Sequence, residues 1–137
     1  MLADHLYWTA TTVSAHNQAF NIVNGDVFRW KWMWQQIADY FCIPVGEYPE
    51  EVVSLEERMK GKEGVWDEIV KKHSLQKTEL NKLASWWHTD SDLSRTFETF
   101  ADMSKSRKLG YNGFKKSSES FTDLFDQLRA EKIIPGV

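Results

Sequence analysis

Between Ala19 and Cys42 the chain reads AFNIVNGDVFRWKWMWQQIADYFC, and the period of its apolar positions changes partway. Residues 19 to 23 alternate and are rich in Phe, Ile and Val, which predicts a strand. Asn24-Gly25 supplies a turn, and Asp26 stands where a helix N-cap belongs. From there Trp30, Met33, Trp34, Ile37, Ala38 and Phe41 fall at i, i+3, i+4, i+7, i+8 and i+11, one continuous face that predicts a buried helix stripe. Trp32 lies about 200° round from Trp30, beside Gln35, Gln36 and Asp39, so it points away from the core its neighbours define and needs another cover.

The flanking segments are mostly helical in pattern. Leu2, Leu6 and Thr9 or Ala10, with Ala3 and Tyr7 beside them, predict a first helix ending near Asn17 and packing on the strand that follows. Ile43-Pro44-Val45-Gly46 ends the central helix, because proline restricts the residue before it, and a loop or short extended piece runs to Pro49. Ser54-Leu55-Glu56-Glu57 is a capping box, with Gly61 placed to close the short helix. Val65, Trp66, Ile69 and Val70 predict a second helix to about His73. From Lys77, Leu80, Leu83, Ala84 and Trp87 predict a third. Thr89 or Asp90 could cap a turn, and Thr96 to Phe100 alternates like a short exposed strand. Asp102 caps a compact helix closed by Gly110, with Lys105, Arg107 and Lys108 near its C-terminal end, as the helix dipole favours. The last helix, about Ser117 to Lys132, presents Phe121, Leu124, Phe125 and Leu128. The pattern predicts one α+β, helix-dominated domain over residues 1–137 with a few short strands.

Composition changes this picture in one respect. The chain of 137 residues holds Phe 8, Trp 7 and Tyr 4, more ring surface than a core of this size readily covers, which points to a ligand pocket or a partner. A net charge of −3 gives no global reason to expect nucleic acid or an anionic membrane. The lone Cys42, on or beside the buried face of the Trp-rich helix, excludes an intrachain disulfide and suits a reducing cytoplasm. Residues 6 to 25 lack charged side chains but are too polar to span a membrane, and no secretory signal is expected.

Candidate chemistry is sparse. Asn24-Gly25-Asp26 has a strand–turn–helix setting but one glycine, and Asp26 would repel a phosphate, so turn and cap is the better reading and no cofactor-binding residue is assigned. His88, Asp90 and Asp92 alternate, yet carboxylates beside Thr and Ser are more often a cap and a solvated loop than a metal site. His5, His16 and His73 are isolated. Lys105, Arg107, Lys108, Lys115 and Lys116 form a basic run that helix-end charge partly explains. Trp86-Trp87-His88 is the best pocket candidate. With Leu80, Leu83 and Trp87 facing the core, Trp86 lies at its margin and His88 offers a polar group beside ring surface, which suits an apolar ligand with one polar function. Equally, the three could simply complete the core.

The runs NQAFNIVNGDVFRWKWMWQQIADYF, MKGKEGVWDEIVKKHSL, LASWWHTD and DMSKSRKLGYNGF, with the ending AEKIIPG, resemble the C-terminal part of the progesterone 5β-reductase-like, iridoid-synthase-like branch of the extended short-chain dehydrogenases/reductases. The resemblance covers essentially the whole chain. It implies an NAD(P)H-dependent parent whose Rossmann half, absent here, binds the dinucleotide and supplies the catalytic Tyr and Lys, while this part caps the site and shapes the substrate pocket. No catalytic residue is carried over, and the chain alone is expected to be inactive. In plant members of the family the Trp-Trp pair is followed by a Phe that helps line the enone pocket; the resemblance places His88 at that position, which makes the pocket more polar, with Trp87 as its companion. The expected partners are the absent half or a second copy, with no nucleic acid and no membrane. The alternative is a free-standing small protein derived from this module that self-associates or binds an apolar ligand.

Overall fold

The computed structural model describes residues 1–47 and 54–136, so the expected loop to Pro49 lies partly outside the described residues. Among the described residues eight α-helices form: α1 (Leu2–Thr11), α2 (Trp30–Tyr40), α3 (Leu55–Met59), α4 (Glu63–His73), α5 (Leu80–Leu83), α6 (Trp86–Leu93), α7 (Ser104–Lys108) and α8 (Ser117–Ala130), with a 3₁₀ turn at Val13–Ala15. The helix-dominated architecture is as expected. The short strands are not: among the described residues none forms. A strand exists only as part of a ladder, and the backbone at 19–24 spends its polar groups elsewhere. Ala19 O accepts from Lys105 Nζ (2.8 Å) and Asn24 O from Lys115 N (2.9 Å). Residues 96–100 likewise have no ladder, and Phe97 and Phe100 are left exposed.

The chain forms two compact units, Met1–Ile37 with Thr99–Thr122, and Ala38–Glu98 with Asp123–Val137, with two of the three boundaries falling within α2 and α8 and the third between α6 and α7. In the first, the core contains Ala15, Met33, Met103 and Tyr111. α1 turns a different face inward from the one its leucines predict. Leu2, Leu6 and Tyr7 are exposed, while His5 is 4% exposed. The reason is polar: His5 Nε2 lies 3.0 Å from the Oγ of Ser106, itself 1% exposed, so its hydrogen bond is met in the interior. Its ring also packs edge-on to Tyr111 (4.6 Å) and Phe20 (5.5 Å), with Trp8 at 5.2 Å. α1 does pack on the segment that follows, through Phe20.

On α2, Met33 is fully buried, but Trp30 and Trp34 are each 44% exposed, against 43% for Trp32. The predicted stripe is therefore only partly covered, and Trp32 is no outlier. Trp30 and Trp34 shield one another instead (5.6 Å), with Phe28 edge-on to Trp30 at 5.3 Å. The expected cap of α2 goes elsewhere. Asp26 accepts from Ser117 N (2.7 Å) and Ser117 Oγ (2.6 Å), so it caps α8. α7 ends as predicted. Gly110 takes φ +100°, Tyr111 N donates to Ser106 O and Gly110 N to Arg107 O, the paired bonds of a Schellman ending. Asp102 accepts from Ser104 N (2.8 Å) at its start.

In the second unit Ala38, Trp66 and Leu80 are buried. Trp66 Nε1 donates to Thr78 O at 2.6 Å, joining α4 to the approach of α5. Tyr40 OH donates to Asp126 at 2.5 Å, and the Arg129 guanidinium lies 4.2 Å over the Tyr40 ring. Cys42 is exposed, not on the buried face. α2 stops at Tyr40, and Cys42 takes the left-handed position (φ +54°) that lets Ile43 N close on Ala38 O. Ser54 caps α3 as predicted, accepting from Glu57 N, and Gly61 has φ +69° after it.

Candidate functional site

The helix predicted from Lys77 through Trp87 is broken. α5 ends at Leu83, Ala84 is extended (φ −154°, ψ 158°), and Ser85 occupies the N-cap of a new helix, α6, that opens on Trp86. The break resets the helical phase. Trp87 no longer shares the face of Leu80 and Leu83, and the expected orientation reverses: Trp86 is half-buried and Trp87 is 64% exposed.

The Asp90 side chain ties α6 to the start of α3. Asp90 accepts from Leu55 N (2.8 Å), Glu56 N (3.1 Å) and Ser54 Oγ (2.7 Å). These bonds satisfy the otherwise orphaned first amides of α3. The Leu55 amide contributes most to holding the Asp90 carboxyl below its ordinary range, against desolvation and with help from Glu56 N and Ser54. Asp90 is thus committed to capping and does not act with His88 and Asp92 as a ligand set; among the described residues no group of three metal-ligating side chains occurs.

Beside this clamp lies an open depression of about 410 Å³, lined by Glu56 of α3, Asn81 and Lys82 of α5, Ala84, Ser85, and Trp86 and Trp87 of α6. Two indoles face a rim of a carboxylate, an ammonium, an amide and a hydroxyl. That combination accommodates a ligand with an apolar face and a polar edge. His88 follows directly on the solvent side. Its ring is edge-on to Trp87 (5.5 Å), and its Nε2 lies 3.4 Å from Asp92, one turn on.

The turn at Asn24-Gly25-Asp26 does not fit a dinucleotide phosphate. Gly25 has φ +97°, and its open side is filled: a Cβ there would meet the Phe114 ring at 3.1 Å and Arg107 Nη2 at 3.2 Å. Asp26 remains anionic. Desolvation raises its pKa, but the Ser117 hydroxyl and amide, with Lys116, lower it to a net value below the ordinary 3.8. A second anion there would be repelled. The basic run is also largely engaged: Lys105 binds Ala19 O and lies over Phe20 (5.0 Å), Arg107 reaches Gly25 O, and Lys116 faces Glu119.

Sequence reasoning missed the buried His5–Ser106 pair. Its one legible signal was the i, i+3 spacing of His5 and Trp8, a second possible inward face on α1.

No family model matches the chain. It is similar to the (S)-8-oxocitronellyl enol synthase of Antirrhinum majus, 46% identical over 136 residues, and to the same-named protein of Catharanthus roseus, 42% over 137. It is also 39% identical over 137 residues to a 3-oxo-Delta(4,5)-steroid 5-beta-reductase of Arabidopsis thaliana. Each match takes in 98% of this chain but 35% of the relative, so the chain spans about a third of the length of the curated relatives it matches.

Proposed function

We propose that this chain belongs with the iridoid-synthase-like and progesterone 5β-reductase-like proteins, of which it matches a C-terminal portion, and that it is the substrate-binding, capping part of an NAD(P)H-dependent short-chain reductase acting on an enone or carbonyl. The observation that carries the reading is the match of 98% of the chain at 46% identity to only 35% of a relative. Reduction needs a nicotinamide held against the substrate and a group to deliver a proton. The turn that most resembles a phosphate loop is filled by Phe114 and Arg107, which supports reading this chain as inactive by itself. Its partner is the nucleotide-binding half of such a reductase, and its place is the cytoplasm, where exposed Cys42 stays reduced. Among the described residues no helix is long and apolar enough to cross a membrane.

In this reading Trp86, Trp87 and His88 contribute to the substrate pocket, with His88 favouring a substrate that carries a polar group near its enone. The purified chain, mixed with NADPH and a cyclic α,β-unsaturated ketone, is expected to give no turnover and no NADPH binding at micromolar strength. The ketone alone should shift the indole N–H resonances of Trp86 and Trp87. Turnover by the chain alone, or shifts confined to other tryptophans, would refute the respective part.

A second reading is favoured by one observation: Trp30, Trp32 and Trp34 are all more than two-fifths exposed. A free-standing protein that covers such a surface by self-association would sediment as a dimer or larger species at high concentration. A clean monomer there removes this reading.

A further inference from the structure

The chain contains two Asn-Gly dipeptides, Asn24-Gly25 and Asn112-Gly113. This pair of residues is the one most prone to spontaneous deamidation. The glycine amide nitrogen, having lost its proton, attacks the asparagine side-chain carbonyl carbon. A C–N bond forms, the bond to the side-chain nitrogen breaks, and ammonia leaves. Water then opens the resulting succinimide at either carbonyl, giving aspartate or isoaspartate, in which the main chain runs through the former side chain. Glycine favours the attack because no Cβ obstructs it. A folded protein suppresses the reaction where the asparagine amide is tied down or the following nitrogen is held.

Asn24 is tied down. Its Nδ2 donates to Ser117 Oγ (3.2 Å) and Ser120 Oγ (3.4 Å), and its carbonyl accepts from Lys115 N (2.9 Å). Gly25 is hemmed in by Phe114 and Arg107. Asn112 stands in contrast: it is exposed, lies outside any helix, and neither its side chain nor the Gly113 N–H makes a hydrogen bond among the described residues.

From this contrast we propose that Asn112 is a modification site, converted through a succinimide with Gly113 to aspartate and isoaspartate while Asn24 is protected. The conversion adds a carboxylate to the basic run between α7 and α8. In the isoaspartate form it also lengthens the main chain by one carbon at a tight place. A Cβ on Gly113 would come within 2.2 Å of Tyr111 Oη, so the backbone there lies directly against that hydroxyl. Tyr111 is a core ring packed on His5 and Trp8. Isoaspartate therefore loosens the first unit's aromatic cluster, and it presents a substrate for a carboxyl methyltransferase that recognises isoaspartate.

The test is to hold the full chain in mildly alkaline buffer at physiological temperature and follow both asparagines by peptide mass spectrometry, with methyltransferase labelling to report isoaspartate. Product should accumulate at Asn112 at least about tenfold faster than at Asn24, whose reaction must wait for local opening. The Asn112→Gln variant, which leaves Gly113 against Tyr111, should lose the acidic species on isoelectric focusing. Equal rates at the two sites, faster reaction at Asn24, no change at either, or an acidic species that persists in Asn112→Gln would each overturn the proposal.

Discussion

Asp26 shows what a single side chain contributes here. Its carboxylate takes the first amide and hydroxyl of α8 across 91 positions of sequence. Because the net effect of Ser117 and Lys116 over desolvation is a lowered pKa, its contribution is complete above the carboxyl's unfolded value. It drains away as pH falls through the lower folded value. Asp26→Ala should therefore lose about 1 kcal/mol in urea unfolding at neutral pH, the usual worth of an N-cap. The gap to the unsubstituted protein should close below the ordinary carboxylate range. A gap independent of pH would mean that packing, not the cap, is lost.

Among the described residues four helices end in the paired bonds of the Schellman motif, and one of these four uses glycine. Gly110 closes α7, but Cys42, Ser74 and Lys132 take the left-handed position after α2, α4 and α8. A side chain in that conformation is strained. Ser74→Gly should accordingly raise stability by about 0.5–1 kcal/mol, the strain relieved less the added chain entropy, read as a higher urea midpoint with unchanged slope. The α3–α6 pair depends on a different device. Asp90→Ala removes the acceptor of the Leu55 and Glu56 amides, so hydrogen exchange at those two positions should speed up while the amides of α4 keep their protection. Uniform acceleration across α4 would show that Asp90 supports the whole unit rather than this one helix.

Across the molecule, three carboxylates with lowered pKa share one task. Asp26, Asp90 and Asp102 each accept hydrogen bonds at a helix start. All three hold their bonds less strongly once protonated, so the melting temperature should fall progressively as pH drops through and below the ordinary carboxylate range. The triple Asn variant should show a flatter pH dependence. Sequence determined the local features: where α3, α4, α7 and α8 form, the Ser54 cap, the glycine endings at Gly61 and Gly110, the family resemblance, and the poor match of the Asn24 turn to a phosphate. These depend on propensity, turn chemistry and motif, which neighbouring residues specify. The tertiary structure decided the rest. It withheld the strands, because a ladder needs a partner that no local pattern contains. It turned His5 rather than the leucines of α1 inward, because Ser106 met its nitrogen 101 positions away. It sent Asp26 and Asp90 to cap helices remote in sequence. By breaking the chain at Ala84 it exchanged the roles of Trp86 and Trp87, since a single extended residue resets the phase of every side chain that follows.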